Sequence, residues 1–568
     1  MSISRPAQAH SRAAEKGRWR LVNYEARTET GKPVTGTMLM CGPETAPPAV
    51  SIPLQARGWH GIYVGLKTYL GIGEPNTLKL KLSSDPCYVL ASVETVTGGV
   101  IGEDKGLAGD AAFEHARLRR RQIQDCFYKY ADLTGQELQV SALSTGVAQP
   151  SAIAYVRLVP LDEREVSELE KRRGSKTNRR LACMNDNLTF MHFRRPTTRE
   201  ELWEEIYPYK DTDYRAIYWT AVRGDNCLYP TRVGTVLGAG RTDFPRVGDR
   251  YLVESLHTLI ARKIDPVATA LEFTRKLGME FHLCMRVEAF TAEPPWDGVF
   301  RSKFFFDHPE LWCMDHDRRT IARLSYAFPE TQRHLLALIR ELAEYHPDGI
   351  MLMFPRAQPY VLYERPVAEA FKKLHGKDVF STDERDPRLL RVRADILTGF
   401  MRKARAEIQA VAGSRPIEFS ATVLADEASN RFHAVDPASW AKEGIIDRLS
   451  PSPFSMIRSR APIDIDFFAR ITRGTPCRLS PTLRPSWLKF PEVIPTARRF
   501  YQAGAEELII FDVNLHHQNP TEWRLWQLLG RKDELGQLEK QVDFELSAIE
   551  ITKLDAMVID KYPPLWAF

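Results

Sequence analysis

The spacing of apolar positions along the chain changes once, and the change divides it. From Thr37 to Leu161 short β-type runs alternate with turns rich in Gly, Pro, Asn and Asp, as in Gly61-Ile-Tyr-Val-Gly65 and Ala154-Tyr-Val-Arg-Leu-Val159. Leu78, Leu80 and Leu82 alternate with Lys79 and Lys81, the period-two pattern of a strand with one wet face. Repeated strands of this kind predict an all-β, sandwich-like domain over residues 19–161. Trp59-His60-Gly61 and Asp132-Leu-Thr-Gly135 then fall in turns or at strand ends, where a structural role is preferred to ligand capture. Residues 1–18 read as an irregular lead-in. Residues 162–199, opening on Asp162-Glu-Arg-Glu165, read as a charged linker.

Beyond residue 200 short apolar strands alternate with helices. Strands are expected at 216–222, 279–287, 349–355, 416–423, 445–451, 477–484 and 507–513, with an eighth within 225–264 as the second in order. The helices between them carry clear punctuation. Asp265-Pro266 supplies an N-cap followed by Pro at the first helical position, and Gly278 closes that helix. Asp436-Pro437 to Gly444 and Asn519-Pro520 to Gly530 repeat the device. Leu335, Leu338, Ile339 and Leu342 recur at helical spacing. No Gly-x-Gly-x-x-Gly loop follows any strand, which disfavours an open dinucleotide-binding sheet. The expected class is α/β: a (β/α)₈ barrel over 200–535 preceded by the β domain, with 536–568 as an extension packed on the barrel.

Composition changes this picture little. The 568 residues are 43% hydrophobic and 27% charged, and 78 Lys and Arg stand against 73 Asp and Glu. The net charge of +5 implies no nucleic-acid partner, and the run Arg117-Leu118-Arg119-Arg120-Arg121 reads as a solvated face rather than a phosphate patch. Eight cysteines are scattered without a C-x-x-C pair, so free thiols and a reducing, cytoplasmic setting are expected. No apolar run of secretory or membrane-spanning length occurs, so no membrane partner is expected.

Four segments share an order with a known family. Gly278-Met-Glu-Phe-His282, Phe306-Asp-His-Pro-Glu-Leu-Trp312, Leu324-Ser-Tyr-Ala-Phe-Pro-Glu330 and Tyr345-His-Pro-Asp-Gly-Ile350 resemble the sequence of motifs in glycosyl-hydrolase-like family 10. The resemblance spans roughly residues 200–530. It implies a barrel acting on glycosides, with its site at the carboxyl ends of the strands and a carbohydrate as substrate. The family pattern places an acidic residue a few positions beyond Asp-Gly-Ile. This chain has Met353 there, so the catalytic residues are not inherited from the resemblance.

Strand periodicity supplies candidates instead. On the strand near 280 the apolar set Phe281, Leu283, Met285 and Val287 faces the helices. That turns Glu280, His282, Cys284, Arg286 and Glu288 inward, with Arg286 and Glu288 at the reactive end. On the strand near 507, assigning Ile509, Phe511 and Val513 to the helix side turns Asp512 and Asn514 inward. On 477–484 the inward set is Arg478, Ser480, Thr482 and Arg484. The loop after the 349–355 strand adds Arg356, Tyr360, Tyr363 and Glu364. A glycosidase needs one carboxyl group that keeps its proton and one that stays ionised. Glu364, beside Tyr360 and Tyr363, suits the acid; Asp512 or Glu288 suits the ionised partner.

Each candidate also has a bland reading. Glu364 opens the helix from 366, Asp512 pairs with Arg484, Glu288 orients Arg286, and His282 is a core residue. His516-His517 is by default a solvent-exposed pair. Trp219, Trp296, Trp312, Trp487 and Trp523 suit sugar stacking by type, though most of them belong in packing. Arg286, Arg356, Tyr363, Arg484 and Asn514 are the expected substrate contacts. The arginines, with Arg223, point to an anionic glycan. No cofactor and no metal are expected. The competing readings are a non-catalytic glycan-binding barrel and a metal-dependent isomerase or aldolase barrel using His282, Glu288, Asp512 and His516.

Overall fold

The structure, a computed structural model, describes residues 17–558 apart from 43–44, 71–73, 95–120, 144–149, 176–177, 289–293, 357, 455–460, 512–516 and 542–546. The expected lead-in and most of the basic run at 117–121 lie outside the described residues.

The amino-terminal strands form two antiparallel sheets. Val50–Pro53, Glu137–Ala142, Thr77–Leu82 and Val89–Ser92 make the smaller one, in that order. Leu78, Leu80 and Leu82 are buried while Lys79 and Lys81 are partly exposed, as the alternation predicts. The larger sheet runs Arg20–Arg27, Pro33–Cys41, Ser151–Pro160, Trp59–Lys67, Gln122–Asp132, Ala548–Leu554, and its last strand pairs back onto Arg20–Arg27. The expected sandwich of two open sheets is therefore corrected. Six strands close into a ring, and the sixth comes from the far end of the chain. That strand covers edges which would otherwise stand open to other chains. Val22, Tyr24, Met38, Ile123, Ala154 and Ile551 fill the ring, and its outer face shares a core with the smaller sheet through Leu39, Ile62, Val64, Leu80 and Val140.

The rest of the chain builds a parallel sheet with helices packed on one face. Leu181–Asn185, Tyr214–Arg223, Glu280–Arg286, Gly349–Met353, Glu418–Val423, Arg448–Pro451 and Arg478–Leu479 follow one another in chain order. Leu508–Phe511 lies on the other side of Leu181–Asn185, with Thr482–Leu483 beyond it. The strand sought within 225–264 is thus Leu181–Asn185, first in order rather than second. Five residues after a charged stretch carry no periodic signal. The punctuated helices are present: Asp265 accepts from the Val267 and Ala268 backbone N–H groups at the head of Pro266–Lys276, and Asn519 does the same for Pro520–Trp526.

The sheet has two unlike faces. Leu181, Cys183, Ile217, Phe281, Leu283, Ile350, Leu352, Leu508 and Ile510 meet the helices. Ala182, Met184, Ala216, Tyr218, Cys284, Met351, Met353, Ile509 and Phe511 meet one another on the inner face. Below this apolar layer, at the amino ends of the strands, lies a buried ionic floor. Arg448, 1% exposed at its side chain, contacts Glu418 at 2.8 Å and Glu507 at 3.3 Å, and donates to the Ser480 hydroxyl at 2.6 Å. Arg215 joins Glu507 at 2.6 Å and also contacts Glu280, while Arg478 contacts Glu418.

Residues of the segments Gly278–His282 and Tyr345–Ile350 gain a structural reason here. His282, fully buried, stacks on Tyr218 with ring centroids 4.4 Å apart. Gly349 leaves it room, because a Cβ there would strike its Nδ1. Asp348 accepts from Phe281 N at 2.9 Å and from Arg415 Nη2 at 2.5 Å, which ties the 280–286 strand to the next one. Truncating one partner of a buried ion pair leaves an uncompensated charge, at about 3–5 kcal/mol. Arg448→Leu is therefore expected to destabilise the chain by about that much in denaturant unfolding. A loss below about 1 kcal/mol would show the floor to be dispensable.

Candidate active site at the carboxyl ends of the parallel strands

The inner-face alternation carries particular residues to the carboxyl ends. On the first strand Ala182 and Met184 face inward, so Asp186 follows them while Asn185 turns toward the helices. Asn185 donates to Glu205 at 2.7 Å and accepts from Asn187 N at 2.7 Å, which fixes the turn that presents Asp186. On the second strand the register slips between Thr220 and Val222. The irregularity adds one residue and returns Arg223 to the inner side, where alternation alone would have turned it outward. Arg223 pairs in register with Arg286, and Arg286 with Met353, so three adjacent strands set these side chains at one level. Arg356 follows in a left-handed turn with φ 70°.

Electrostatics tie this group together. The Asp186 carboxylate accepts from Leu188 N at 3.1 Å and Thr189 N at 3.0 Å, and lies 4.0 Å from Arg223 Nη2, which also donates to the Asp186 carbonyl at 2.8 Å. Burial works to raise its pKa, but Arg223, the Thr189 N–H and Arg286 outweigh burial and hold it below the usual range. Burial and then Arg286 push Arg223 well below its ordinary value; Asp186 opposes them and Arg356 adds to them. Beneath Asn185, burial lifts Glu205 to about 7 despite Arg194 at 3.2 Å. Aromatic rings complete the rim. Arg484 lies 4.3 Å over Trp487, 5.1 Å over Phe511 and 5.3 Å over Phe454, and Arg356 lies 5.7 Å over Phe454.

The residues read from the sequence fall into three groups. Arg286, Arg356 and Arg484 come to this rim, with Trp487 beside them. Glu288, Glu364 and Tyr363 sit in the loops after the third and fourth strands. The Glu288 carboxylate accepts from Arg301 Nη1 at 2.5 Å and Leu324 N at 2.9 Å, which anchors the Trp312–Leu324 excursion onto the sheet. Glu364 is 1% exposed and accepts from Leu362 N at 2.9 Å and Met314 N at 3.2 Å. Burial raises its pKa, and those backbone donors oppose the rise. Its carboxylate thus closes the loop onto the 312–314 strand. Tyr363 stacks on Phe380 at 5.8 Å and meets His316 edge-on at 5.4 Å.

Asp512, Asn514 and His516 form the third group and lie outside the described residues. The alternation on which Asp512 and Asn514 were turned inward has the opposite phase: Ile509 and Phe511 face inward, Leu508 and Ile510 the helices. All four are apolar and buried, so periodicity could not fix the face. His282 lies level with Tyr218 in the sheet, and among the described residues no three His, Cys, Asp or Glu side chains are grouped to hold a metal. Asp186 and Asn185 were missed because their strand was assigned to the linker. The signal was present in Leu181-Ala-Cys-Met-Asn-Asp-Asn187, an apolar run ending in three polar residues.

No family model matches the chain, and no curated protein matches it in sequence. Solved structures do. The glycoside hydrolase domain of PgaB (BpsB) from Bordetella bronchiseptica matches over 64% of this chain and 99% of its own, at 12% identity and a TM-score of 0.38. A β-galactosidase from the psychrophilic Marinomonas ef1 matches over 64% and 61%, at 10% identity and 0.40. The α-galactosidase TtGalA from Thermus thermophilus matches over 90% and 95%, at 13% identity and 0.33. Likeness at this level fixes neither activity nor substrate.

Removing the Glu364 carboxylate strands the Leu362 and Met314 N–H groups in a buried loop, at about 1–3 kcal/mol. Glu364→Ala is expected to lower the unfolding free energy by that amount. An unchanged denaturation midpoint would contradict the loop-closing role.

Proposed function

We propose that the parallel sheet closes as a (β/α)₈ barrel and that its mouth cleaves a glycosidic bond in an anionic glycan. Support for closure comes from Ser480-Pro481, the two residues between the end pieces of the sheet. Ser480 N donates to Leu449 O at 2.9 Å, and the Pro481 carbonyl accepts from Ile509 N at 3.1 Å. One broken strand then serves both edges, and Pro481 explains the break because it has no N–H to donate.

The observation that carries the functional reading is Asp186. A carboxylate at the carboxyl end of the first strand, held ionised by Arg223 and Arg286, is what a glycosidase needs as nucleophile or base. Barrel enzymes draw catalytic residues from this end of the strands. Trp487, partly exposed beside Arg484, supplies a face for a sugar ring. The motifs resembling glycosyl-hydrolase-like family 10 fall within the same barrel. Asp512 follows Phe511 in sequence, past the last described strand residue, where the alternation of 508–511 no longer sets a direction, and is the proposed second carboxyl group. In this scheme it protonates the leaving oxygen while Asp186 attacks the sugar or activates water. Arg286, Arg356 and Arg484 bind the negative groups of the glycan through paired, charge-assisted hydrogen bonds. Asn514 is a further proposed contact. Glu288 and Glu364 hold the loops that wall the mouth and take no part in proton transfer.

One observation favours a second reading, a barrel that binds glycan without cleaving it: Met353 stands level with Arg286, where the family pattern has an acid. The two readings separate cleanly. Asp186→Asn and Asp512→Asn are each expected to lower turnover of an anionic glycoside at least ~100-fold, the scale of one essential carboxyl group, with little change in melting temperature. Binding without turnover by the unaltered chain establishes the second reading instead.

A further inference from the structure

We propose that the cleft between the amino-terminal β region and the barrel helices is a second carbohydrate site, taking an oligosaccharide that bears carboxylate or sulfate groups. The cleft has a volume of ≈ 810 Å³, within the range of about 300–1,000 Å³ that ligand sites occupy. None of the mouth residues Asp186, Arg223, Arg286, Arg356 or Arg484 lines it. The inference therefore stands apart from the reading of the mouth.

Two features of the walls define the ligand. The first is aromatic: Trp59, Tyr63 and Tyr130 on the β side face Tyr207 and Trp523 on the barrel side, all half-buried. Trp59 opens its strand, and Asp132 ends the strand paired with it, so two segments that stand out in the sequence both border the cleft. The second feature is charge. Arg172 and Arg173, in the last turn of the helix Glu163–Gly174, line the cleft with Lys210 and Arg524. Among the described residues none of these four forms an ion pair. Arg173 donates to the Tyr130 carbonyl at 3.1 Å and lies 5.3 Å over Trp59; Arg524 lies 5.3 Å over Phe127 and Lys210 5.7 Å over Tyr207.

The acids of the cleft are mostly engaged elsewhere. Asp85 holds Lys129 at 2.5 Å and accepts from the Tyr207 hydroxyl at 2.9 Å, Asp125 takes Arg157, and Asp132 accepts from Thr134 at 2.7 and 2.9 Å. Asp211 is the remaining lining acid. The cleft thus offers ring faces together with cations that form no ion pair among the described residues. Guanidinium forks match carboxylate and sulfate, and aromatic faces match the apolar face of a pyranose. A nucleic-acid strand would also answer to rings and cations, but it needs a basic track extending along open surface. Here the four cations stand at one cleft, and the whole chain carries a charge of only +5.

Calorimetric titration of the full chain with a tetragalacturonate, a neutral galactotetraose and a single-stranded octanucleotide tests this. The uronate is expected to bind a site that Arg286→Ala retains and that the pair Arg173→Ala with Arg524→Ala weakens at least tenfold. The neutral sugar is expected to bind that site at least tenfold more weakly. If the pair fails to fold, Lys210→Ala is expected to weaken the same site. Uronate binding abolished by Arg286→Ala, equal affinity for the neutral sugar, or tighter binding of the octanucleotide would each overturn the proposal.

Discussion

Everything at the mouth depends on the ionic floor beneath it. Parallel strands buried on both faces have little polar alternation to hold their register, so a fixed contact across their amino ends carries weight. Arg448 supplies that by reaching across to Glu418 and Glu507 from the strand between them in chain order. Burial would raise the Glu418 carboxyl, yet Arg448 and His282, with Arg478 behind, pull it down to about 2. Each charge is tolerable only because the others are in place. The apolar layer of Met184, Cys284, Met351 and Ile509 rests on this floor. With the lower end closed by charge and the middle by apolar side chains, the inner face offers chemistry at the carboxyl end alone.

The floor pairs arginine with glutamate; at the other end Arg223 lies 4.0 Å from Asp186 and stands level with Arg286, and Arg356 follows the fourth strand. Two backbone irregularities produce this crowding. The register slip after Thr220 turns Arg223 inward, and the left-handed Arg356 ends the fourth strand's approach. Both cost stability locally, and burial, with Arg286 next, depresses Arg223.

Legibility in the sequence followed the strength of the local signal. Helices capped by Asp-Pro or Asn-Pro were found because the cap chemistry is written in two adjacent residues. The inner set on 280–286 was found because His282, Cys284 and Arg286 break an apolar alternation. The 508–511 strand is Leu-Ile-Ile-Phe, apolar on both faces, so its phase was unreadable and Asp512 was oriented by guess. Leu181–Asn185 was too short and too close to charged sequence to register, which hid Asp186. The strand Ala548–Leu554 pairs with residues more than four hundred positions away, and such long-range pairing leaves no periodic trace. Glu364 was read from its tyrosine neighbours as a candidate acid, and only the folded loop shows the Leu362 and Met314 donors that occupy it.

The central claim is that the mouth acts on a glycan through its negative charge. The most direct measurement is kcat/KM for matched uronide and neutral nitrophenyl glycosides, in both anomeric forms, across ionic strength. The account predicts at least ~10-fold preference for the uronide at low salt, shrinking as added salt screens the arginines. Equal turnover of the two, or a preference indifferent to salt, would contradict it.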